Sequence, residues 1–345
     1  MAVIARAPLR IGLAGGGTDL PSYADRFGGL VISATINRYV YTILTDAPAD
    51  VLQITAADSN SVLSRREHLF DSALFWGQDY RLPLEIADYL GVRGGHRVFL
   101  ASEVPPGTGL GSSSATAVSM VTALAAEQGR SLSKHETADI ACHIEIDVLG
   151  MPIGRQDQFA AAYGGMNVIE FHAQDTIVTP CDVAAPLWNA LQSRILLFFT
   201  GQRRRSTDIL SAQREATARA GSDTLAALHD IKAFAVEMIA AVQRGELDLI
   251  GALLDASWER KQRLAPGVSN PEIDGWYRSA REAGALGGKI TGAGGGGFLM
   301  LYADSARRWD VIQCMSEQGL VWVDTEFERE GASVMLRSPA AIGVG

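Results

Sequence analysis

The pattern of apolar and polar positions divides the chain into short strands and longer helices. Ala2 to Ala14 reads as a strand, broken by Gly15-Gly16-Gly17. Leu30 to Leu44, rich in β-branched and aromatic residues, reads as a second strand, with Val51 to Ala56 as its expected partner. A helix is expected over Leu84 to Leu90. His96 to Glu103 alternates like a strand until Pro105-Pro106 stops it. Ser113 to Gln128 is Ala-rich with helical periodicity. Ser133 to Leu149 reads as the next helix, with Ser133 and Glu136 at capping-box spacing. Gly154 to Tyr163 reads as a third, closed by Gly164-Gly165. Met166 to Phe171 and Thr176 to Val178 read as short strands.

The second half opens with a strongly apolar strand, Arg194 to Thr200. Ser206 to Arg263 is helical in pattern, with breaks at Gly221 and Gly245, and Pro271 to Glu282 is a further helix. Ala285 to Lys289 leads into the run Gly292 to Gly297. A strand over Phe298 to Tyr302, a helix over Ala306 to Gln318, and strands over Val321 to Phe327 and Ser333 to Leu336 follow. Composition shifts near Ala184 to Asn189, so two domains are expected, 1–185 mixed and 186–345 more helical.

Composition narrows the function classes. The 345 residues are 47% hydrophobic and 20% charged, as in a globular protein with a large core. A net charge of -9 disfavours broad nucleic-acid binding, which needs many cations along phosphates. Cys142, Cys181 and Cys314 are scattered and odd in number, so neither a disulfide framework nor a zinc site is expected, and a reducing cytoplasm fits. MAVIARAPLR has no apolar signal region, and no run reaches the ~20 apolar residues of a membrane span. A homodimer is carried as an expectation on which no residue pattern bears.

Three glycine-rich segments carry the candidate chemistry. Val104 to Ala115 lies between a strand and a helix and reads Val-Pro-Pro-Gly-Thr-Gly-Leu-Gly-Ser-Ser-Ser-Ala. Glycines let backbone approach an anion, a helix start offers unpaired N–H groups, and serines add hydroxyl donors. No Gly-Lys-Ser/Thr closes the loop, so it is not a Walker A. Lys289-Ile-Thr-Gly-Ala-Gly-Gly-Gly-Gly-Phe298 contains a GxGxxG at Gly292, Gly294 and Gly297. A dinucleotide fingerprint needs a helix next, whereas here a strand follows. So many glycines suggest that something lies against bare backbone. The first segment in chain order, Arg10 to Asp19, ends a glycine turn on an acid that can accept bonds from sugar hydroxyls or simply cap the turn.

Glu145 and Asp157 stand twelve residues apart, on a helix and past the turn Gly150 to Gly154. Phosphoryl transfer needs a metal, a group orienting the acceptor hydroxyl, and positive charge. Glu145 and Ser113 could ligate Mg²⁺, Asp157 could take the hydroxyl proton, and Arg10 could pair with Asp157 and keep it ionised. On spacing alone, surface salt bridges are the better reading of these residues.

Together the segments resemble the kinase superfamily of galactokinase, homoserine kinase, mevalonate kinase and phosphomevalonate kinase. Ala7 to Asp19, Pro106 to Ala115 and Lys289 to Gly297 match its three motifs, in order. The resemblance implies an α+β fold, with an N-terminal ribosomal-protein-S5-domain-2-like domain, a C-terminal ferredoxin-like domain and the site between them. It implies ATP on Pro106, Gly107, Gly109, Leu110, Gly111, Ser112, Ser113 and Ser114. It implies Mg²⁺ on Ser113 and Glu145, Asp157 as base, and Arg10 as its charge partner. Its implied sugar side is Gly16, Gly17, Thr18, Asp19, Asp157, Gly292 and Gly294.

Gly150 to Phe159 resembles the sugar-kinase branch. Ala14 to Tyr23, Gln156 to Gly165 and Lys289 to Phe298 resemble the D-glycero-D-manno-heptose 7-phosphate kinases within it. Where galactokinases carry Glu-His before Thr-Asp, this chain has Gly16-Gly17. The change removes an acid and opens space for an anionic acceptor. Arg203, Arg204 and Arg205 are the expected clamp on that acceptor's phosphate. The competing expectations are a kinase for fucose, galactose or unphosphorylated heptose, an inactive sugar sensor on the same fold, and a nicotinamide-dependent oxidoreductase.

Overall fold

The computed structural model of the chain describes residues 1–57, 61–66, 80–202, 206–219 and 221–338. In its first half the elements run β1 (Ala2–Ala14), α1 (Pro21–Phe27), β2 (Gly29–Asp46), β3 (Val51–Ala56), β4 (Ser61–Arg66), α2 (Arg81–Tyr89) and β5 (His96–Ser102). They continue with α3 (Ser112–Glu127), α4 (Lys134–Cys142), a π-helical turn (His143–Val148), α5 (Gln156–Tyr163), β6 (Met166–Phe171) and β7 (Thr176–Pro180). The capping box expected at Ser133 forms: Ser133 Oγ accepts from Glu136 N at 3.1 Å, and Glu136 Oε2 accepts from Ser133 N at 2.8 Å. The helix read as continuous to Leu149 instead widens at His143, where Leu149 N reaches Ile144 O at 3.0 Å.

In the second half the order is α6 (Ala185–Arg194), β8 (Ile195–Phe199), α7 (Ser206–Ala218), α8 (Asp223–Arg244), α9 (Leu247–Lys261), α10 (Pro271–Ala283) and β9 (Ala285–Ile290). β10 (Phe298–Ala303), α11 (Arg308–Glu317), β11 (Val321–Val323) and β12 (Ser333–Ser338) complete it. The composition shift near Ala184 corresponds to α6, whose proline sits in the first turn, where its missing N–H costs nothing.

One sheet has the order β12-β1-β2-β5-β3-β4, with β6 and β7 branching from β2; the other is β11-β8-β10-β9. β2 is long enough for two neighbours: Val40 to Asp46 pairs with β5, and Gly29 to Ala34 pairs with β6. Val51 to Ala56 does not pair with β2 as expected. β5 lies between them, so β3 runs parallel to β5 and antiparallel to β4. Neighbours in sequence are often neighbours in a sheet, but the return of β5 after α2 displaces β3 here. Val321 to Phe327 is likewise a strand only to Val323. Phe327 leaves the sheet to bridge Ile36 and pack edge-on against Trp188. We propose the domain division near residue 185, with β12 returning to the first sheet beside β1.

Helix α3 lies against β1 and β2 with a face of Ala, Val, Met and Leu that is fully buried. Its small residues let it sit close, and Ser119 Oγ reaches Thr42 Oγ1 at 3.0 Å across the contact. From the other half, α8 and α9 also touch β1, so the first strand is covered by elements of both halves.

The halves also meet backbone to backbone. Phe298 N donates to Thr108 O at 3.2 Å, and Thr291 Oγ1 donates to the same carbonyl at 3.2 Å. A methyl group on Gly297, where φ is +87°, would lie 2.3 Å from Thr108 O. The Gly297→Ala variant should therefore lose about 2 kcal/mol or more of stability, read by urea denaturation, and bind ATP more weakly. Wild-type stability and affinity would show that this contact tolerates a side chain.

Candidate active site

The loop before α3 arranges its backbone through glycine: Gly107, Gly109 and Gly111 have φ of 75°, 81° and 80°. Gly111 is the N-cap of α3 and no side chain caps the helix, so its first amides are open to an anion. Ser112 and Ser113 face the cavity at this end, and Ser114 is buried beneath them. Leu110 differs in role from its neighbours. Its side chain is in the core, and its carbonyl accepts from Arg10 N at 3.1 Å. Pro106 faces a second hollow of about 240 Å³, lined also by Tyr80, Leu82 and Leu100.

Arg10 and Asp157 form a two-pronged pair. Arg10 Nε donates to Asp157 Oδ1 and Nη2 to Oδ2, each at 2.7 Å, while Nη1 donates to Gly109 O at 2.7 Å. Such a fork fixes the carboxylate in direction as well as position. Gly111 leaves room for it, since a methyl group there would lie 3.2 Å from Asp157 Oδ2.

Glu145 is fully buried in the π-helical turn. It accepts from Ser113 Oγ at 2.9 Å and from Gln158 Nε2 at 2.6 Å. Burial, helped by the charge of Asp157, raises its pKa to about 7 against the lowering effect of hydrogen bonds from Ser114, Ser113 and Gln158. No cation pairs with it among the described residues, and the buried Gln158 Oε1 has no partner either. A buried carboxylate beside a hydroxyl and an unmet amide oxygen suits a hydrated divalent cation. Among the described residues no cluster of three or more His, Cys, Asp or Glu offers a complete metal cage.

At the other end Asp19 is buried, accepting from Gly17 N and Gln156 Nε2 at 3.0 Å each and from Gln156 N at 3.3 Å. Burial, and then the charge of Asp157, raises its pKa. Gly154 must lack a side chain here, because a Cβ would fall 1.8 Å from Asp19 Oδ2. Around Gly16 there is open space, whereas Gly17 lies against the Gln213 amide. Thr18 sits behind the turn: its hydroxyl bonds Gly15 O at 2.7 Å and it is absent from the cavity wall.

Arg10, Gly16, Gly17, Asp19, Gly107, Gly109, Gly111, Ser112, Ser113, Ser114, Glu145, Gln156 and Asp157 line one cavity of about 270 Å³ that also touches Gly292 and Gly294, whereas Pro106, Thr18, Leu110 and Gln158 lie outside its wall. The glycine-rich third segment lies against the loop that precedes α3. A Cβ on Gly292 would fall 2.6 Å from Gly109 Cα, and one on Gly294 2.7 Å from Val268 O. Arg203, Arg204 and Arg205 lie outside the described residues.

Two lysines were not singled out from the sequence. Lys289 Nζ donates to Leu13 O at 3.1 Å; Lys261 Nζ donates to Ile290 O at 2.7 Å and Gly292 O at 2.6 Å. Lys289 is buried and Lys261 half-buried in the cavity wall, and neither has a carboxylate partner among the described residues. Burial, then the charge of Arg10, lowers the Lys289 pKa to about 7. Burial, then Lys289 and Arg10, pushes Lys261 well below its usual value. Gln156 and Gln158 are further site residues found only in the structure. They sit one on each side of Asp157 and reach opposite ways, to Asp19 and to Glu145.

An open helix start, a buried acid and an Arg-held carboxylate between them are the arrangement a small-molecule kinase needs. Residues 80–165 match the GHMP kinases N terminal domain, and residues 238–319 match the GHMP kinases C terminal domain. The chain is 33% identical over 336 residues to the D-glycero-alpha-D-manno-heptose 7-phosphate kinase of Campylobacter jejuni, spanning 94% of this chain and 96% of that protein. It shares a TM-score of 0.79 and 27% identity with the crystal structure of a D-glycero-D-manno-heptose 1-phosphate kinase from Bacteroides thetaiotaomicron, covering 98% of this chain and 100% of that one. Lactococcus lactis galactokinase has the same fold, with a TM-score of 0.74 at 20% identity over 96% of this chain and 95% of its own. The chain belongs to the GHMP kinase family. It is an ATP-dependent sugar kinase with that family's α+β fold.

A buried ammonium without a counter-ion should weaken the free protein. Lys289 has a folded pKa of about 7, against ~10.4 for an exposed lysine, so between these values the unfolded chain binds more protons. Stability then rises with pH across that window, and the full cost is felt below pH 7. Lys289→Met should stabilise the ligand-free protein by on the order of a few kcal/mol at pH 6.5, with the gain fading towards pH 10. Urea titrations across that range would show it. An equal effect at all pH values would place the gain in packing instead.

Proposed function

We propose that the chain transfers the terminal phosphoryl group of ATP to the anomeric hydroxyl of D-glycero-D-manno-heptose 7-phosphate, giving the 1,7-bisphosphate for nucleotide-activated heptose used in surface polysaccharide. The observation that carries this reading is the arrangement at Asp157. One carboxylate, held by Arg10, lies between the open helix start of α3 and the acid Asp19. The likeness to the Campylobacter jejuni heptose 7-phosphate kinase along nearly the whole chain supports the choice of sugar. Open space at Gly16 leaves room for a longer, charged acceptor.

In this reading the loop amides and the amides of Ser112 to Ser114 hold the ATP phosphates, and the apolar hollow beside Pro106 takes the adenine. Asp19 and Gln156 hold sugar hydroxyls. Asp157 accepts a bond from the anomeric hydroxyl and takes its proton as the oxygen attacks, and the Arg10 fork keeps the carboxylate from turning away. Ser113 and Glu145 are the ligands the chain offers to Mg²⁺. When bound, that ion neutralises phosphate charge during transfer. Closing the cavity to water matters too, since water would compete with the sugar for the phosphoryl group. The ATP requirement and the free thiols support a cytoplasmic protein in this reading, and no helix among the described residues is long and apolar enough to cross a membrane.

A screen of sugars and sugar phosphates for ADP release, followed by phosphorus NMR of the product, tests the reading. A new phosphate on C1 of heptose 7-phosphate is expected. Turnover only with fucose, galactose or unphosphorylated heptose would overturn the choice of acceptor. Asp157→Asn should lower kcat by about 10²–10⁴ in a protein that still folds, as expected for loss of an acid–base group, and should lower the melting temperature because the buried Arg10 loses its counter-ion. An active Asp157→Asn enzyme would remove Asp157 from the proton-transfer role.

A further inference from the structure

The cavity contains more positive charge than the phosphate loop and Asp157 account for. Arg10 is matched by Asp157, but the ammonium groups of Lys261 and Lys289 touch only main-chain carbonyls. A third group points the same way. Ser257 precedes Lys261 by one helical turn on α9, lines the same cavity, is 5% exposed, and its hydroxyl has no hydrogen-bond partner. Residues four apart share a helix face, so Ser257 and Lys261 present a hydroxyl and an ammonium side by side. Lys289 reaches the cavity from β9, close enough that its charge depresses Lys261.

Buried polar groups are nearly always paired, and a buried charge without a partner is costly. A buried hydroxyl with no partner and two ammonium groups held only by carbonyls, converging on one cavity in a chain of net charge -9, are best explained by a bound anion. We propose that Ser257, Lys261 and Lys289 form a second oxyanion site, distinct from the helix-start loop, that takes a phosphoryl dianion. Two sources present this chemistry: the terminal phosphoryl of ATP, and a phosphate already carried by the sugar. The sugar arm rests on the acceptor proposed above; the nucleotide arm does not. On the sugar arm, the phosphate clamp is built from α9 and β9.

The test uses the full chain and calorimetric binding of four probes: ATP, ADP, D-glycero-D-manno-heptose 7-phosphate and unphosphorylated D-glycero-D-manno-heptose. In Lys261→Met and Lys289→Met, one preference should fall at least tenfold. Loss of the preference for ATP over ADP, with the sugar preference kept, places the transferred phosphoryl at the site. Loss of the preference for the phosphorylated sugar, with the nucleotide preference kept, places the sugar's own phosphate there. Ser257→Ala, a smaller change to the fold, should shift the same ratio about threefold and keeps the test available if a lysine variant misfolds. Neither sugar binding to wild type would refute the heptose reading alone, and the nucleotide ratio would then decide the site. Both ratios within twofold of wild type in all folded variants would overturn the proposal.

Discussion

The Arg10 guanidinium is the interaction on which the rest of the site depends. Two of its nitrogens hold Asp157, a third holds Gly109 O, and its backbone N–H holds Leu110 O. One side chain on one strand thus joins the carboxylate on α5 to the loop before α3. Arg10 is 5% exposed, so these bonds form away from bulk water, where charged hydrogen bonds are strong and unpaired ones costly. β1 can present it only because the strand is clamped on both edges, by β2 and β12, and covered by α3 and by helices of the second half.

Around that fork the chain uses bare backbone as a spacing device. Gly292 meets Gly109, Gly297 meets Thr108, and Gly154 meets Asp19, each closer than any side chain would allow. The third glycine-rich segment therefore has a structural partner, the loop that receives the nucleotide in our reading. Movement of one is felt by the other. The lysine ammonium groups enter the cavity on carbonyls of Leu13, at a register shift of β1, of Ile290, at the end of β9, and of Gly292, in the glycine run.

Much of this was legible in the amino-acid order. Glycine runs and the capping box at Ser133 depend on local backbone preferences, so they could be read directly. Arg10, Glu145 and Asp157 could be named because three motifs occur together, and the structure brings them around one cavity. What escaped depends on contacts distant in sequence. Lys261 ends a charged run, Glu259-Arg260-Lys261, that looks like a solvated helix end; Glu259 and Arg260 do face outward, and only Lys261 turns in. Gln156 and Gln158 flank an acid and look like helix surface until Asp19 and Glu145 approach from other elements. The place of β3 depended on a strand forty residues later.

The return of β12 to β1 has a consequence for how the protein is made. Ala2 N bonds Ser338 Oγ, a contact spanning 336 positions. During synthesis β1 emerges before the other described elements but gains its β12 neighbour after all of them. The strand that carries Arg10 must therefore wait, with one edge unpaired, for nearly the whole chain. Pairings of such sequence separation form slowly, and an open edge is a route to association between nascent chains. The Ala2 to Arg6 end of the strand is therefore expected to be among the last features to become rigid, although it is made before the elements that pack on it.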